Sequence, residues 1–244
     1  MKITEIFGPT IQGEGAAAGR HCLFVRLSLC NLECNFCDTP YTWAFTEDKA
    51  SKMNKPRVFD RESWQIDMTP AEVLDALNRS WPIYDKPTLI VISGGEPLVQ
   101  QTDLIVLVSM LKAWNHQIHV ETAGTIKPTP ELNLRVDQYN VSPKLEHSGN
   151  RIEKRYKPFV LAEFVRTGKA WFKYVVTTNE DFAEIDEQVA EVGIPANRVM
   201  VMPEGTSVKR TIDVARSVID GALERGYGLS FRTHVLIWGN KRGH

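Results

Sequence analysis

Cysteine is scarce in this 244-residue chain: there are four, and three fall in one stretch at 29–40, LCNLECNFCDTP. Charge imbalance is missing as well. The 29 Lys and Arg against 30 Asp and Glu leave a net charge of −1, and no basic block stands out. A nucleic-acid footprint is normally a basic patch or stripe, so no nucleic-acid partner is expected. No apolar run approaches the ~20 residues of a membrane helix, so no membrane partner is expected either. The first ten residues, MKITEIFGPT, lack the long apolar core of a signal peptide. The expectation is a cytoplasmic chain, where thiols stay reduced and disulfides are rare.

What remains is globular. Apolar residues make up 43% and charged residues 24%, and 244 residues can bury a core as a single domain, 1–244. Strand-like runs at 22–29, 88–93, 118–122, 138–142, 171–177 and 198–203 alternate with helical patterns, and a last strand is expected at 229–236. Thr69-Pro70-Ala71-Glu72 combines an N-cap, a first-turn proline and a capping-box glutamate. Asn179 is expected to cap a helix burying Phe182, Ile185, Val189 and Val192. Ser207 is expected to cap another, carrying Ile212, Ala215, Ile219 and Leu223 on one face, with Gly226 as its stop. This alternation argues for a parallel sheet of the α/β class, as a partial (β/α)6-type barrel or an open doubly wound sheet. The polar segment 43–67 fits no unit and reads as an inserted loop.

In such folds chemistry gathers at the C-terminal ends of the strands. Here those ends carry the cysteine stretch, then Ser93-Gly94-Gly95-Glu96-Pro97, Glu121-Thr122-Ala123-Gly124-Thr125, Ser142-Pro143-Lys144 and Met202-Pro203-Glu204-Gly205. Polar and glycine residues therefore cluster at one rim. The cysteines are Cys30, Cys34 and Cys37, spaced C-x3-C-x2-C. Structural zinc normally takes four protein ligands. Cys22, expected on the same strand as Cys30, would lie ~26 Å away at ~3.3 Å per residue, and no histidine sits in the loop. One coordination position is left open. An iron-sulfur cube held by three thiolates instead of the usual four has one iron free to bind a substrate or cofactor.

The spacing, with Phe36 before the last cysteine, resembles the signature of the radical S-adenosylmethionine enzymes, and Gly94-Gly95-Glu96-Pro97 resembles their GGEP segment. That resemblance implies a [4Fe-4S] cluster, S-adenosylmethionine bound to the free iron, a 5'-deoxyadenosyl radical, and the partial barrel. A narrower resemblance runs over about 5–145. Thr10-Ile11-Gln12-Gly13-Glu14-Gly15, Phe24-Val25-Arg26-Leu27, Cys37-Asp38-Thr39 and the three rim segments after it are similar to those of the 7-carboxy-7-deazaguanine synthase family, with a weaker echo at Arg232-Thr233-His234. The family contracts the ring of 6-carboxy-5,6,7,8-tetrahydropterin to 7-carboxy-7-deazaguanine with loss of ammonia, in queuosine and 7-deazapurine biosynthesis, assisted by Mg2+. The resemblance also implies a homodimer and an electron donor such as a flavodoxin or ferredoxin.

Carried over residue by residue, the resemblance implies Cys30, Cys34 and Cys37 as cluster ligands, and Phe36, Asp38, Gly95, Ser142, Pro143 and Lys144 around S-adenosylmethionine. It implies Ile11, Gln12, Gly13, Glu14, Arg26, Ser93 and His234 around the pterin, Thr39 on magnesium, and Arg26, Thr39 and Glu121 as catalytic. Arg26 shares a strand face with Phe24 and needs an anionic partner there. That partner is the substrate carboxylate or a core carboxylate such as Glu14 or Glu121. Without the resemblance, Thr39 reads as a helix-start residue, Lys144 as a surface lysine, His234 as structural and the Gln12–Glu14 stretch as a polar turn.

Two other functions compete. A glycyl-radical activase shares the cysteine loop, but such an enzyme lacks the Gln-Gly-Glu-Gly loop and the strand arginine. An electron carrier would saturate its cluster with four cysteines.

Overall fold

The period-two alternation of side chains along each strand decides which face meets helices and which meets the site. The computed structural model describes residues 1–243. Among these, nine strands form one sheet: β1 (Lys2–Ile11), β2 (His21–Leu27), β3 (Ile66–Asp67), β4 (Leu89–Gly94), β5 (Gln117–Thr122), β6 (Gln138–Val141), β7 (Ala170–Val176), β8 (Val199–Pro203) and β9 (Gly228–Leu229). Their order is β3-β1-β2-β4-β5-β6-β7-β8-β9, with two open edges. Every pair from β2 onward is parallel, while β1 runs antiparallel to both β2 and β3. The result is an α/β partial barrel.

On one face Leu23, Val25, Ile90, Ile92, Ile118, Val120, Phe172 and Tyr174 are buried in the main core. Helices Pro70–Ser80, Gln101–Ala113, Pro158–Thr167, Asp181–Val192 and Val208–Glu224 cover that face with Val73, Leu77, Leu104, Leu107, Phe164, Phe182, Ile185 and Val218. The opposite face, carrying Phe24, Arg26, Ser93, Glu121 and Lys173, lines a cavity. Thr69 and Glu72 form the expected capping box, and Ser207 accepts from the Arg210 N–H as an N-cap.

Several expectations need correction. The run 229–236 is not a strand: β9 is two residues long, and Thr233–Trp238 is a helix. Asn179 does not cap Asp181–Val192; that position is Glu180, and the Asn179 amide donates to the Ser217 carbonyl. On Val208–Glu224 the buried face is Thr211, Val214, Ala215, Val218 and Ala222, whereas Leu223 is 65% exposed. The segment 43–67 is not a plain loop. It holds helices Glu47–Ala50 and Arg61–Trp64 plus β3, and it packs Trp43, Ala44 and Phe59 with Tyr41 into a small core of its own. β2 stops at Leu27, and Cys22 is buried in a separate cluster with Ala17, Leu89 and Val91.

Candidate active site

The three clustered cysteines are held by a loop that two other rim segments clamp. Leu29 adopts φ 76°, a left-handed conformation that costs a branched residue roughly 1–2 kcal/mol. Its N–H donates to the Thr42 carbonyl at 2.8 Å, while the Gly95 and Glu96 N–H groups donate to Leu27 and Leu29 carbonyls at 3.2 and 2.8 Å. Gly94 and Gly95 are more than a tight turn. A Cβ on Gly95 would sit 2.2 Å from the Leu29 carbonyl oxygen and 2.8 Å from Cys30 Cβ, so only glycine lets β4 end this close to the cysteine loop. Glu96 is wholly buried and accepts from the Ala123 and Leu98 N–H groups and the Thr122 hydroxyl, which fixes the end of β4 to the end of β5.

Cys30, Cys34 and Cys37 all face the cavity and carry no disulfide. Burial pushes their thiols up, Cys37 to about 11, so they need a cation to hold them as thiolates. Three N–H groups point at the sulfurs: Leu32 N to Cys30 at 3.5 Å, Asn150 Nδ2 to Cys34 at 3.2 Å and Trp43 Nε1 to Cys37 at 3.3 Å. Among the described residues, no three His, Cys, Asp or Glu side chains could share one metal ion. A cube requires no such convergence, because its thiolates attach to three different irons. Thiol donors ringed by N–H groups on a cavity wall fit an iron-sulfur cluster better than zinc.

Across the cavity lies a buried charge array. Lys173 Nζ, on β7, bonds Glu14 Oε2 at 2.5 Å and Glu121 Oε2 at 3.2 Å. Gln12 Nε2 and Asn140 Nδ2 reach Glu121 Oε1 at 2.9 and 2.8 Å. Arg232 Nε reaches Glu14 Oε1 at 3.1 Å, and its Nη2 pairs with Asp38. Burial alone would raise the Glu14 carboxyl, but Lys173 and Arg232 hold it well below the usual carboxylate range. The same carboxylates push the Lys173 ammonium up despite its burial. His234 packs on Gly13, where a Cβ would meet its Nδ1 at 2.0 Å, and the Thr233 N–H donates to the Gly13 carbonyl at 2.8 Å. Burial pushes the His234 imidazolium down, with Glu14 opposing, so the neutral ring is favoured near pH 7.

Arg26 pairs with Glu5 on the neighbouring strand at 2.6 Å, not with Glu14 or Glu121. Its Nη1 approaches Ser93 Oγ at 3.4 Å. Arg242 also reaches Glu5 Oε2 at 2.5 Å, with its guanidinium over the Tyr41 and Trp64 rings, so residues 240–243 wall one side of the cavity. Thr39 precedes the 3-10 turn Pro40–Thr42, yet its hydroxyl makes no capping bond and lies 3.7 Å from Cys37 Sγ. Lys144 Nζ donates to Ser142 Oγ at 2.9 Å.

The cavity, about 280 Å3, is lined by every residue that the sequence singles out for the site except Pro143, which is buried beside it. Glu5, Trp43, Asn150, Lys173, Arg232 and Arg242 were not singled out as site residues. For Lys173 the signal was there: a charge inside the otherwise apolar run WFKYVV has the same need for a partner as Arg26.

Residues 11–128 match the family described as a 4Fe-4S single cluster domain. The chain is 35% identical over 245 residues to the 7-carboxy-7-deazaguanine synthase of Pyrobaculum aerophilum, covering 100% of this chain and 97% of that protein. It is 31% identical to the synthase of Hyperthermus butylicus, covering 97% and 92%. The crystal structure of QueE from Escherichia coli superposes with a TM-score of 0.66 at 27% identity, covering 96% and 94%. Streptococcus suis SuiB bound to S-adenosylmethionine, at 15% identity and a TM-score of 0.51, shares the fold. Full-length identity above 30% to enzymes of one name, on the same scaffold, places this chain in the 7-carboxy-7-deazaguanine synthase family.

Proposed function

We propose that this chain, acting as one domain, converts 6-carboxy-5,6,7,8-tetrahydropterin to 7-carboxy-7-deazaguanine with release of ammonia. One observation carries the reading: a cavity with three cluster-competent cysteines on one wall and the Gln12, Glu14, Glu121 and Lys173 array on another. Held by Cys30, Cys34 and Cys37, a cluster with S-adenosylmethionine would supply radical chemistry directed at the C6 hydrogen of the pterin.

The chain's own residues hold the substrate so that this hydrogen faces the radical. The Glu14 and Glu121 side chains accept from the pterin's 2-amino and ring N–H edge, Gln12 supplies a complementary amide, and Ile11 and Gly13 present backbone and apolar contact. Arg26 spends Nε on Glu5 and turns its remaining N–H groups toward the substrate carboxylate beside Ser93. Neutral His234 closes the Gly13–Glu14 side. Gly95, Phe36, Asp38, Ser142, Pro143 and Lys144 border the S-adenosylmethionine position. Thr39 offers a hydroxyl to Mg2+, which prefers oxygen ligands and keeps several waters.

The same reading includes a low-potential electron donor of the flavodoxin or ferredoxin kind, a homodimer and a cytoplasmic location. No helix among the described residues is long and apolar enough to cross a membrane. Reconstituted anaerobically and given S-adenosylmethionine, a reductant and the carboxylated tetrahydropterin, the protein should form 7-carboxy-7-deazaguanine, detected by mass and ultraviolet absorption. Cys22→Ala should retain this activity and Cys30→Ala should lose it. Loss of the cluster in Cys22→Ala, or no product from the fully loaded parent, would overturn the reading.

A further inference from the structure

Two donors on the cluster loop come from segments that the proposed reaction leaves without a role. Trp43 opens the 43–67 segment, and Asn150 lies 116 residues from the cysteine it touches. We propose that Trp43 and Asn150 set the reduction potential of the cluster by donating N–H···S hydrogen bonds to Cys37 and Cys34, leaving the Cys30 sulfur with only a long backbone donor. This rests on the reading of the three cysteines as cluster ligands; it does not depend on which substrate is turned over.

Both donors are fixed in sense. Indole Nε1 can only donate, and Trp43 is 2% exposed, so without Cys37 Sγ that N–H would be buried and unpaired. A carboxamide could in principle face either way. Here Asn150 Oδ1 accepts from the Glu33 N–H at 2.9 Å, and a backbone N–H cannot accept, so Nδ2 must be the end that meets Cys34 Sγ at 3.2 Å. Ser148 Oγ lies 3.3 Å from the same Nδ2 and 3.4 Å from the Asn150 N–H, which steadies the amide further.

The loop around them is tied down by main-chain bonds from Asn35 N to the Ser148 carbonyl at 3.0 Å and from Asn54 N to the Asn35 carbonyl at 2.9 Å. Both donor-bearing segments are therefore tied to the cysteine loop by main-chain bonds.

An N–H dipole aimed at a ligating sulfur stabilises the added electron of the reduced cluster more than the oxidised state. Hydrogen bonds to sulfur are among the factors that set cluster potentials. Removing a donor therefore lowers the midpoint, making the cluster harder to reduce. The burial of Trp43 adds to the same design: the small core of Tyr41, Trp43, Ala44 and Phe59 packs against Cys30 and Cys37 and keeps water from their side of the loop. The 43–67 segment thus acts as a wall of the cluster pocket and supplies one of its donors.

The test is a redox titration of the reconstituted full-length protein, without S-adenosylmethionine or substrate, followed by visible absorption and electron paramagnetic resonance. Trp43→Phe keeps an aromatic ring, though a smaller one, and removes the N–H; Asn150→Ala removes the amide; Asn150→Asp replaces a donor with an anion. Each midpoint should fall, Asn150→Asp furthest. A tenfold drop in the reduced-to-oxidised ratio at a fixed poise corresponds to 59 mV for one electron. The double variant Trp43→Phe with Asn150→Ala should show near-additive shifts, since the donors serve different sulfurs.

A midpoint does not depend on how much cluster is loaded, so partly reconstituted variants still report. Unchanged midpoints in the single variants would overturn the proposal. Should no variant hold a cluster, the parent itself decides with 15N placed selectively in the Trp indole and Asn carboxamide nitrogens. Resolved 15N coupling from both kinds of nitrogen to the reduced cluster upholds the two donors, and its absence refutes them.

Discussion

Arg26 and Glu5 face each other across the β1–β2 pair, with Arg26 Nε donating to Glu5 Oε1 at 2.6 Å and both side chains about one-sixth exposed. In the proposed reading this ion pair leaves the other N–H groups of Arg26 free for a substrate carboxylate. It occupies the Nε edge of the guanidinium and orients the rest of the fork toward the cavity. Tyr41 steadies Glu5 by donating to the same Oε1 at 3.2 Å. Arg26→Lys keeps a charge but loses the fork, and activity should fall on the order of 100-fold, as expected for a misplaced substrate. Iron content and S-adenosylmethionine cleavage without substrate should be retained. A fully active Arg26→Lys protein would mean that the pair with Glu5 is purely structural.

Six parallel strands were legible because each is a short apolar run with turn residues at its ends, the signature of strands buried on a sheet. β1 was not legible, since KITEIFGPTI mixes charges with a proline and runs antiparallel at one side of the sheet. The apolar run VLIW looked like strand material. Yet only Val235 of the helix Thr233–Trp238 is buried, and short apolar runs do not separate helix from strand by pattern. On Val208–Glu224 two neighbouring stripes were both apolar enough, and packing chose the one through Val214 and Val218. Site residues that lie in contiguous loop motifs were legible. Glu5, Asn150 and Arg242 were not, because only the sheet order brings them to residues 21, 116 and 237 positions away.

Among the described residues, Lys173 alone bonds both carboxylates that the proposed mechanism uses for recognition. Lys173→Met should force Glu14 and Glu121 to share the pocket with one less positive charge. Breaking a buried pair by removing one partner costs roughly 3–5 kcal/mol, so thermal stability should drop clearly. Lys173→Arg should recover part of the stability, but the larger head cannot reproduce both bonds at 2.5 and 3.2 Å. In steady-state kinetics KM for the pterin should rise more than kcat falls. Unchanged stability and KM in Lys173→Met would remove Lys173 from the recognition array.

His119 offers a pH test away from the site. It lies on β5, 3% exposed, with Nδ1 unpaired. Burial lowers its pKa to about 4, with Arg20 adding to the shift and Asp137 opposing it. The folded value is below the unfolded value of about 6.5. The unfolded chain therefore takes up a proton that the folded chain refuses. Stability from this group is complete above about pH 6.5 and is lost as pH falls toward 4, at no more than about 1.4 kcal/mol per pH unit. Urea midpoints measured from pH 7 to 4.5 should fall more steeply in the parent than in His119→Gln. Parallel curves would show that the ring titrates normally.

Magnesium is the part of the proposed site with the least protein behind it, and Thr39 is the residue on which it turns. The residue stands where a helix-start threonine would, with Pro40 after it, but its hydroxyl caps nothing. It is half-buried on the cavity wall, within 3.7 Å of Cys37 Sγ. That leaves its oxygen available to an ion. One neutral oxygen would hold magnesium weakly, so binding should require substrate, whose oxygens would add the further ligands it needs. The ion would fix the pterin and stabilise charge as the ring contracts. Product formation by the parent should therefore rise with added magnesium and fall with a chelator, while iron content stays constant. Thr39→Ala should weaken the magnesium response, and Thr39→Ser, which keeps the oxygen, should restore most of it. Equal rates with and without chelator in the parent and in Thr39→Ala would leave Thr39 as a turn residue and the reaction without a magnesium requirement.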